Sequence, residues 1–266
     1  MTELFGDESM LRRVHRETAV ALSGPRALLL QATHPLAFAG LMAHSTGFDD
    51  PYERLGRTAL VMRTITFGSE AEAERATRIV RAMHHRVRGV LDEPVGRYPA
   101  GTPYAAGDPA LLLWVLATLV DSALVVYGRY VGRLSRDERQ AYWEVQRVVG
   151  GLFGLADADM PATMEDFDAY WHDMLRSGDL HVSPQARELA VQIVMRPPVP
   201  LPARPVLELV NQITIGLLPR EVRRMYGFRW DPLRGLAVRG GAEYLRRIVV
   251  PVLPSRLRLV PAARAA

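Results

Sequence analysis

Apolar residues recur three and four positions apart along most of the chain, which is the spacing of one face of an α-helix. No run of alternating apolar and polar residues is long enough to predict a sheet. We therefore expect an all-α, multi-helix globular bundle with a buried central pocket. The predicted helices are Ser9–Leu22, Pro35–Ser45, Tyr52–Phe67, Glu70–Leu91, Asp108–Tyr130, Ser135–Gly150, Thr163–Gly178, Ser183–Met195, Val206–Leu218 and Arg220–Tyr226.

Capping residues and breakers set the predicted helix ends. Ser135 and Glu138 form a capping box, and Asp108 is followed by a proline suited to a first helical turn. Ser23-Gly24-Pro25 is expected to end the first helix, with only a short apolar segment, Arg26–Thr33, after it. The proline-rich stretch Arg196–Pro205 predicts an extended strap.

The whole chain, residues 1–266, is expected to form one domain, because the part after the proline strap is too small for its own core. The 48% hydrophobic and 23% charged residues are the balance of an ordinary globular protein. The absence of cysteine excludes disulfides, Cys-ligated zinc and thiolate-ligated haem.

The net charge of +4 does not predict a nucleic-acid partner, because arginines are spread along the chain among acids. The C-terminal extension, residues 231–266, is the exception, with one acid, Glu243, between Arg234 and Arg264. It is either a solvated tail or a loose contact with an acidic surface or membrane. No apolar run approaches the ~20 residues of a bilayer span, so we expect a cytoplasmic protein without a transmembrane segment.

Histidine is the candidate for metal chemistry. On the predicted helix Glu70–Leu91, His84 lies four residues after Val80 and three before Val87, which places it on or beside the buried face. His85 shares its face with arginines and should point to water. A core histidine bonded to a carbonyl remains the alternative for His84. No glutamate stands three residues before a histidine, which excludes the usual di-iron motif.

A pair of polar residues is predicted on one face of the helix Tyr52–Phe67. Arg54 and Thr58 are four residues apart, and Val61 and Ile65 continue the same face. An arginine on an apolar face is costly unless an anion or carboxylate meets it, so this pair should point into the same interior as His84.

Other polar residues have weaker signals. His44 lies in line with Gly40 and Leu41 on the small-residue helix, and His34 precedes a proline as a cap or turn residue. Asp121 could anchor a buried arginine or a histidine N–H, or could form a helix-internal ion pair or face solvent. The tryptophans are expected in the core and its seams: Trp114, Trp143, Trp171 and Trp230.

Several separated segments resemble the oxygenase family that includes MpaB and the latex clearing proteins, over about residues 27–230. These segments read Q-A-T-H-P-L-A-F-A-G-L-M-A-H-S and D-P-Y-E-R-L-G-R-T within Gln31–Thr58, F-G-S-E-A-E at Phe67–Glu72, R-A-M-H-H-R-V-R-G at Arg81–Gly89, and Y-A-A-G-D-P-A-L-L-L-W-V-L-A-T-L-V-D-S at Tyr104–Ser122. Characterised members are helical and bind b-type haem through one histidine on a core helix.

The resemblance implies haem b as cofactor, with His84 as the iron ligand and Arg54 and Thr58 on the opposite, oxygen-binding side. His44 is a further candidate there. Arg220, with Arg223 and Tyr226, would grip the haem propionates, or else form a solvated basic helix end. Many relatives have a histidine where this chain has Leu116.

The expected function is therefore a haem-b oxygenase that uses dioxygen on a hydrophobic small molecule, isoprenoid-like or a secondary-metabolite precursor. A haem peroxygenase or hydroxylase on the same scaffold is one alternative. The other is a non-enzymatic helical protein that binds a lipid. The sequence leaves the oligomeric state open, with a homodimer as one option.

Overall fold

The computed structural model describes residue 6, residues 8–43 and residues 51–264, and it confirms the all-α fold class. Helices hold 71% of the described residues. The α-helices are α1 Met10–His15, α2 Ser23–Gln31, α3 Pro35–Ala43, α4 Pro51–Phe67, α5 Glu70–His84, α6 Pro109–Tyr130, α7 Arg136–Phe153, α8 Met164–Arg176, α9 Pro184–Met195, α10 Arg204–Leu217, α11 Arg220–Met225, α12 Pro232–Tyr244, α13 Val250–Val252 and α14 Ser255–Arg258.

Helix α6 lies at the centre of the fold. Asp108 caps it by accepting a hydrogen bond from the Ala110 backbone N–H, and more than half of its side chains are buried on several sides. Helices α2, α7 and α12 all pack against it. By length and composition α6 could also cross a bilayer, so the expectation that no apolar run is long enough was wrong.

Helix α2 begins at Ser23, where the sequence predicted an interruption of helical structure. A 3₁₀ turn, Thr18–Leu22, leads directly into α2, and Pro25 lies in its first turn. Proline is tolerated there because the first helical N–H groups need no partner within the helix. The first helical segment does end at Leu22 as predicted, but it is broken after His15, and Ser23-Gly24-Pro25 begin a helix that takes in most of the segment Arg26–Thr33.

Helix α5 is shorter than predicted and ends at His84. The chain then forms a two-stranded antiparallel hairpin from β1, Arg88–Val90, and β2, Pro103–Ala105. Gly89 faces Tyr104 so closely that an added Cβ would lie 2.5 Å from the tyrosine hydroxyl oxygen. This close strand contact explains why the helical pattern does not continue to Leu91.

Helix α7 passes through Gly150-Gly151, where the sequence predicted its end, and stops at Phe153. Gly154 follows with a φ of 106°, a left-handed backbone conformation that favours glycine at helix ends. Gly150 is needed inside the helix because an added Cβ would lie 2.7 Å from the Met160 sulfur and 3.0 Å from Leu116. The predicted capping box at Ser135 is present.

The C-terminal extension folds back on the protein and is not the solvated tail of one alternative. Helix α12 continues through a π-helical turn, Leu245–Val249, into α13. Further on, the Arg258 guanidinium donates two hydrogen bonds of 2.9 Å to the buried carboxylate of Glu17. The extension is therefore tied to the N-terminal part of the chain.

The core holds one buried ion pair between α2 and α6. The Arg26 side chain is 2% exposed, and one guanidinium nitrogen lies 2.6 Å from an Asp121 carboxylate oxygen. Arg26 also donates hydrogen bonds to the Leu217 carbonyl oxygen at 2.8 Å and to the Ser122 hydroxyl at 2.7 Å. Asp121 thus anchors a buried arginine, which was one of its predicted roles.

The tryptophan prediction is confirmed. Trp114, Trp143 and Trp171 are buried, and Trp114 stacks on Trp171 with ring centroids 5.4 Å apart. Trp230 is only half-buried and lies in a seam beneath the Arg223 guanidinium.

Replacing Asp121 by alanine should lower the free energy of unfolding by about 3 kcal/mol, because Arg26 would keep its charge without a carboxylate in the core. Denaturant unfolding followed by circular dichroism measures this change.

The matched control is Glu165→Ala, which breaks the ion pair between Glu165 and Arg136. The Arg136 side chain is 88% exposed and the Glu165 side chain is 81% exposed. An exposed pair of this kind should contribute less than about 1 kcal/mol. Equal losses for the two variants would contradict the role given to the buried pair.

Candidate functional site

His84 is the last residue of α5 and is half-buried, whereas His85 is exposed. This matches the predicted orientations of the two rings. The Nδ1 atom of His84 is buried and has no hydrogen-bond partner among the described residues. The alternative of a core histidine whose Nδ1 is bonded to a carbonyl is therefore not what the structure has.

The pKa of His84 is lowered from the ordinary histidine value, first by burial and then by the positive charges of Arg54 and His85. Both causes disfavour the protonated ring. His84 is therefore a neutral imidazole at neutral pH, and a neutral ring nitrogen has a lone pair that can bind a metal.

Arg54 joins the end of α3 to the start of α4. Its guanidinium donates a hydrogen bond to the Leu41 carbonyl oxygen at 3.1 Å, and its side chain is half-buried. Its charge also acts on His84, so the structure brings these two predicted site residues into one electrostatic environment.

Thr58 is exposed, contrary to the expectation that it points into the interior. Its hydroxyl donates a hydrogen bond to the Arg54 carbonyl oxygen one turn earlier, at 3.1 Å. The face that it shares with Arg54 becomes buried only further along, with Val61 half-buried and Ile65 buried. The reason is that helix α4 is covered along its second half and open along its first.

Helix α3 and the hairpin meet close to His84. An added Cβ on Gly40 would lie 3.4 Å from Val87 and 3.8 Å from the Tyr104 ring. The small residues predicted to allow close packing on α3 therefore admit the chain that follows His84. This contact fixes the direction in which the chain leaves α5.

The apolar face of α5 is more open than predicted. Ala73 and Thr77 are buried in line with His84, but Ile79 is 65% exposed and Met83 is 56% exposed. Leu60 on the adjacent helix α4 is 52% exposed. The expected continuous buried face is thus limited to one narrow line of residues, and Ile79 and Met83 lie on the exposed part of α5.

The other predicted site residues do not join His84 in the same way. His44 lies outside the described residues. Arg220 is exposed at the first position of α11. Arg223 donates to the Gly216 and Leu218 carbonyl oxygens at the end of α10.

Tyr226 is buried, and its hydroxyl donates to the Leu29 carbonyl oxygen at 2.8 Å. Arg223 and Tyr226 are thus engaged in holding helices together. The propionate contacts predicted for this segment rest on Arg220 alone and remain a prediction.

Two histidines outside the site have structural contacts. His34 is buried beside the Tyr98 ring, with centroids 5.8 Å apart, and burial lowers its pKa. His15 exchanges a hydrogen bond with the Tyr142 hydroxyl at 2.9 Å. Leu116 is buried against Gly150 in the core.

A cleft of about 340 Å³ lies between α6, α7 and α8, and no pattern in the sequence predicted it. Asp121 lies at this cleft together with Arg139 and Asp168, which form an ion pair of 3.0 Å across its rim. Asp121 was predicted only as an anchor, ion-pair or solvent-facing residue, and Arg139 and Asp168 carried no sequence signal, because the opposing charges come from three different helices.

A family model described as "ER-bound oxygenase mpaB/B'/Rubber oxygenase, catalytic domain" matches residues 12–247. The chain belongs to this oxygenase family. Comparison of this chain with curated proteins and with solved structures found no match. Membership points to an enzyme of the oxygenase type that acts on a small molecule with dioxygen.

The match begins at Arg12 and extends past Trp230, where the resemblance was expected to end, to Arg247. The family region therefore includes α12 and part of the basic extension. In the described part of this oxygenase domain, no three His, Asp or Glu side chains lie close enough together to hold a metal ion. This statement concerns groups of three side chains and does not bear on a single histidine ligand such as His84.

Replacing Arg54 by glutamine should raise the pKa of His84 toward the ordinary value of about 6.5 without fully restoring it, because burial of the ring remains. Nuclear magnetic resonance titration of histidine-labelled protein measures this pKa, with His84→Gln identifying the signal.

Arg78→Gln is the control, because Arg78 is an exposed arginine on the same helix as His84. It should leave the titration of His84 unchanged. If the pKa of His84 stayed constant or fell in Arg54→Gln, the proposed electrostatic coupling would be wrong.

Proposed function

We propose that the protein is a haem-b oxygenase in which His84 is the axial iron ligand and the substrate is a hydrophobic small molecule. The observation that carries the proposal is the His84 ring, which is half-buried and unpartnered at Nδ1 among the described residues, and whose pKa burial lowers. Family membership supports oxygenase chemistry in general. The haem and the substrate class are our inference.

The residues around His84 fit a haem group. A partly buried imidazole with a free ring nitrogen is a group that could hold haem iron. Ile79, Met83 and Leu60 supply exposed apolar surface on the two helices concerned. A flat, largely apolar ring that covered such side chains would remove them from water, which stabilises the bound state.

Haem b, when bound, would supply the iron and the redox chemistry with dioxygen. The protein's own contribution begins with His84, which must stay unprotonated to offer its lone pair. Burial and the Arg54 charge keep it so. Burial and Arg54 would thus hold the His84 ring in the unprotonated form that binds iron before a cofactor is present.

Arg54 and Thr58 would act as polar groups beside the bound ring. The Arg54 guanidinium has five N–H donors, so it can pair with a propionate carboxylate or orient an oxygen atom. Its bond to the Leu41 carbonyl oxygen fixes its position at the end of α3. The Thr58 hydroxyl now donates to the Arg54 carbonyl oxygen, and rotation about one bond would free it for a ligand.

The same surroundings favour a hydrophobic substrate. The exposed side chains of α4 and α5 include arginines such as Arg81, and they also include three large apolar residues, Leu60, Ile79 and Met83. A carbon chain such as an isoprenoid would bury these apolar side chains without leaving a polar group unpaired.

Adding haem b to the purified full chain should produce a Soret absorption band, and His84→Ala should abolish that band or shift it strongly. Absorption spectra before and after dithionite reduction measure binding and ligation together. His85→Ala is the matched control, because His85 is the exposed neighbour on the same turn and should leave the spectrum unchanged.

A chain that takes up no haem would end the proposal. So would an unchanged spectrum in His84→Ala, which would clear His84 of the ligand role. A colourless protein isolated with bound lipid would instead favour the non-enzymatic binding protein.

A further inference from the structure

The helical segment of residues 232–252 presents an apolar stripe to the outside of the molecule. The stripe positions are three or four residues apart, with Gly240 filling one of them, which puts them on one helix face. The large side chains are 54–78% exposed. They are Leu233, Leu236, Tyr244, Ile248 and Val252.

The opposite side of this segment is packed firmly on the protein. Ala242 is buried in a small core with Val126, Tyr130 and Ile213. An added Cβ on Gly235 would lie 3.2 Å from the Trp230 ring nitrogen. The stripe is therefore held in a fixed position, and the described part of the chain leaves it uncovered.

The positive charge of the protein is concentrated in the same region. From Arg234 to Arg264 the sequence has seven arginines and one acid, Glu243, a net charge of +6. Since the whole chain carries +4, the remainder carries a net charge of −2. Four of the seven arginines and Glu243 lie within residues 232–252, which give the stripe segment itself a net charge of +3.

Exposed arginines flank the stripe. The side chains of Arg234 and Arg247 are 57% and 69% exposed, and Arg239 is exposed between them. Arg246 is the inner partner of Glu243, to which it donates hydrogen bonds of 2.8 to 3.2 Å. Glu243 also pairs with the exposed Arg247, and Arg234 pairs with Asp231 at 3.1 Å, so a lipid phosphate would replace a carboxylate at these two arginines.

We propose that residues 232–252 form a membrane-surface site that binds bilayers containing anionic phospholipids, with the apolar stripe in the headgroup region and the arginines on lipid phosphates. Helices with an apolar face and arginines beside it lie in the plane of the interface in this way. Guanidinium groups match the geometry of phosphate oxygens.

The charge distinguishes this partner from a second copy of the chain. Two copies joined through the stripe would bring two sets of arginines together, and like charges repel. An anionic bilayer provides the opposite charge and an apolar layer at once. The inference does not depend on haem binding or on the identity of the substrate.

The test is cosedimentation of the full chain with vesicles of phosphatidylcholine alone and of phosphatidylcholine mixed with phosphatidylserine. The protein should bind the mixed vesicles, bind the neutral ones far more weakly, and lose affinity as salt rises. Each arginine near an anionic surface contributes about a fivefold factor in affinity. Removing Arg234, Arg239 and Arg247 together by substitution with glutamine should therefore weaken binding at least about tenfold.

The double variant Leu236→Gln and Ile248→Gln tests the stripe and should also weaken binding at least about tenfold. Both side chains are exposed, so the fold should persist, as circular dichroism will verify. Val148→Gln and Arg136→Gln are the controls, because they change an exposed apolar residue and an exposed arginine on α7. They should bind like the unmodified chain.

Equal binding to both vesicle types, or to neither, would overturn the proposal. A chain that is dimeric in solution and becomes monomeric in the Leu236→Gln and Ile248→Gln variant, without binding vesicles, would assign the stripe to a second copy instead.

Discussion

The fold is organised by the need to surround α6. This helix is apolar on most of its circumference, so it is stable only when other helices cover it from several directions. Helices α2, α7 and α12 provide that cover, and Arg26 on α2 meets the one carboxylate in the second half of α6. The ion pair gives the α2–α6 contact a specific register that apolar packing alone would not define.

The candidate site lies at the margin of this core. His84 ends α5 at the point where the chain turns into the hairpin, and Gly40 and Tyr104 fix that turn. A fully buried imidazole would be inaccessible, and a fully exposed one would be hydrated and partly protonated near neutral pH. The half-buried position and the Arg54 charge both lower the pKa of the ring, and the ring remains partly accessible to a ligand.

Local signals in the sequence predicted much of this arrangement. The caps at Asp108 and Ser135 and the opposite orientations of His84 and His85 follow from spacing within one helix, and the structure has all of them. What the sequence could not supply depends on distant contacts. The end of α5 is set by Tyr104 in the second strand, and the burial of Arg26 requires a helix almost a hundred residues away.

Thr58 is exposed for the same reason. Its spacing correctly predicts that it shares a helix face with Ile65, but the prediction that this face is covered at Thr58 depended on contacts with other elements, which spacing does not define. The C-terminal extension was underestimated for a related reason. Its arginines suggested solvation, whereas small residues such as Ala242 and Gly235 allow it to pack closely on α6 and α10. The roles of His84, Arg54, Thr58 and Arg220 remain predictions.

A crystal structure of the full chain grown with haem b would test the central claim most directly. The account predicts iron bonded to a ring nitrogen of His84, with Arg54 beside the ring and α4 and α5 in their present arrangement. Iron bonded to a different side chain, or a haem lodged away from α4 and α5, would contradict it.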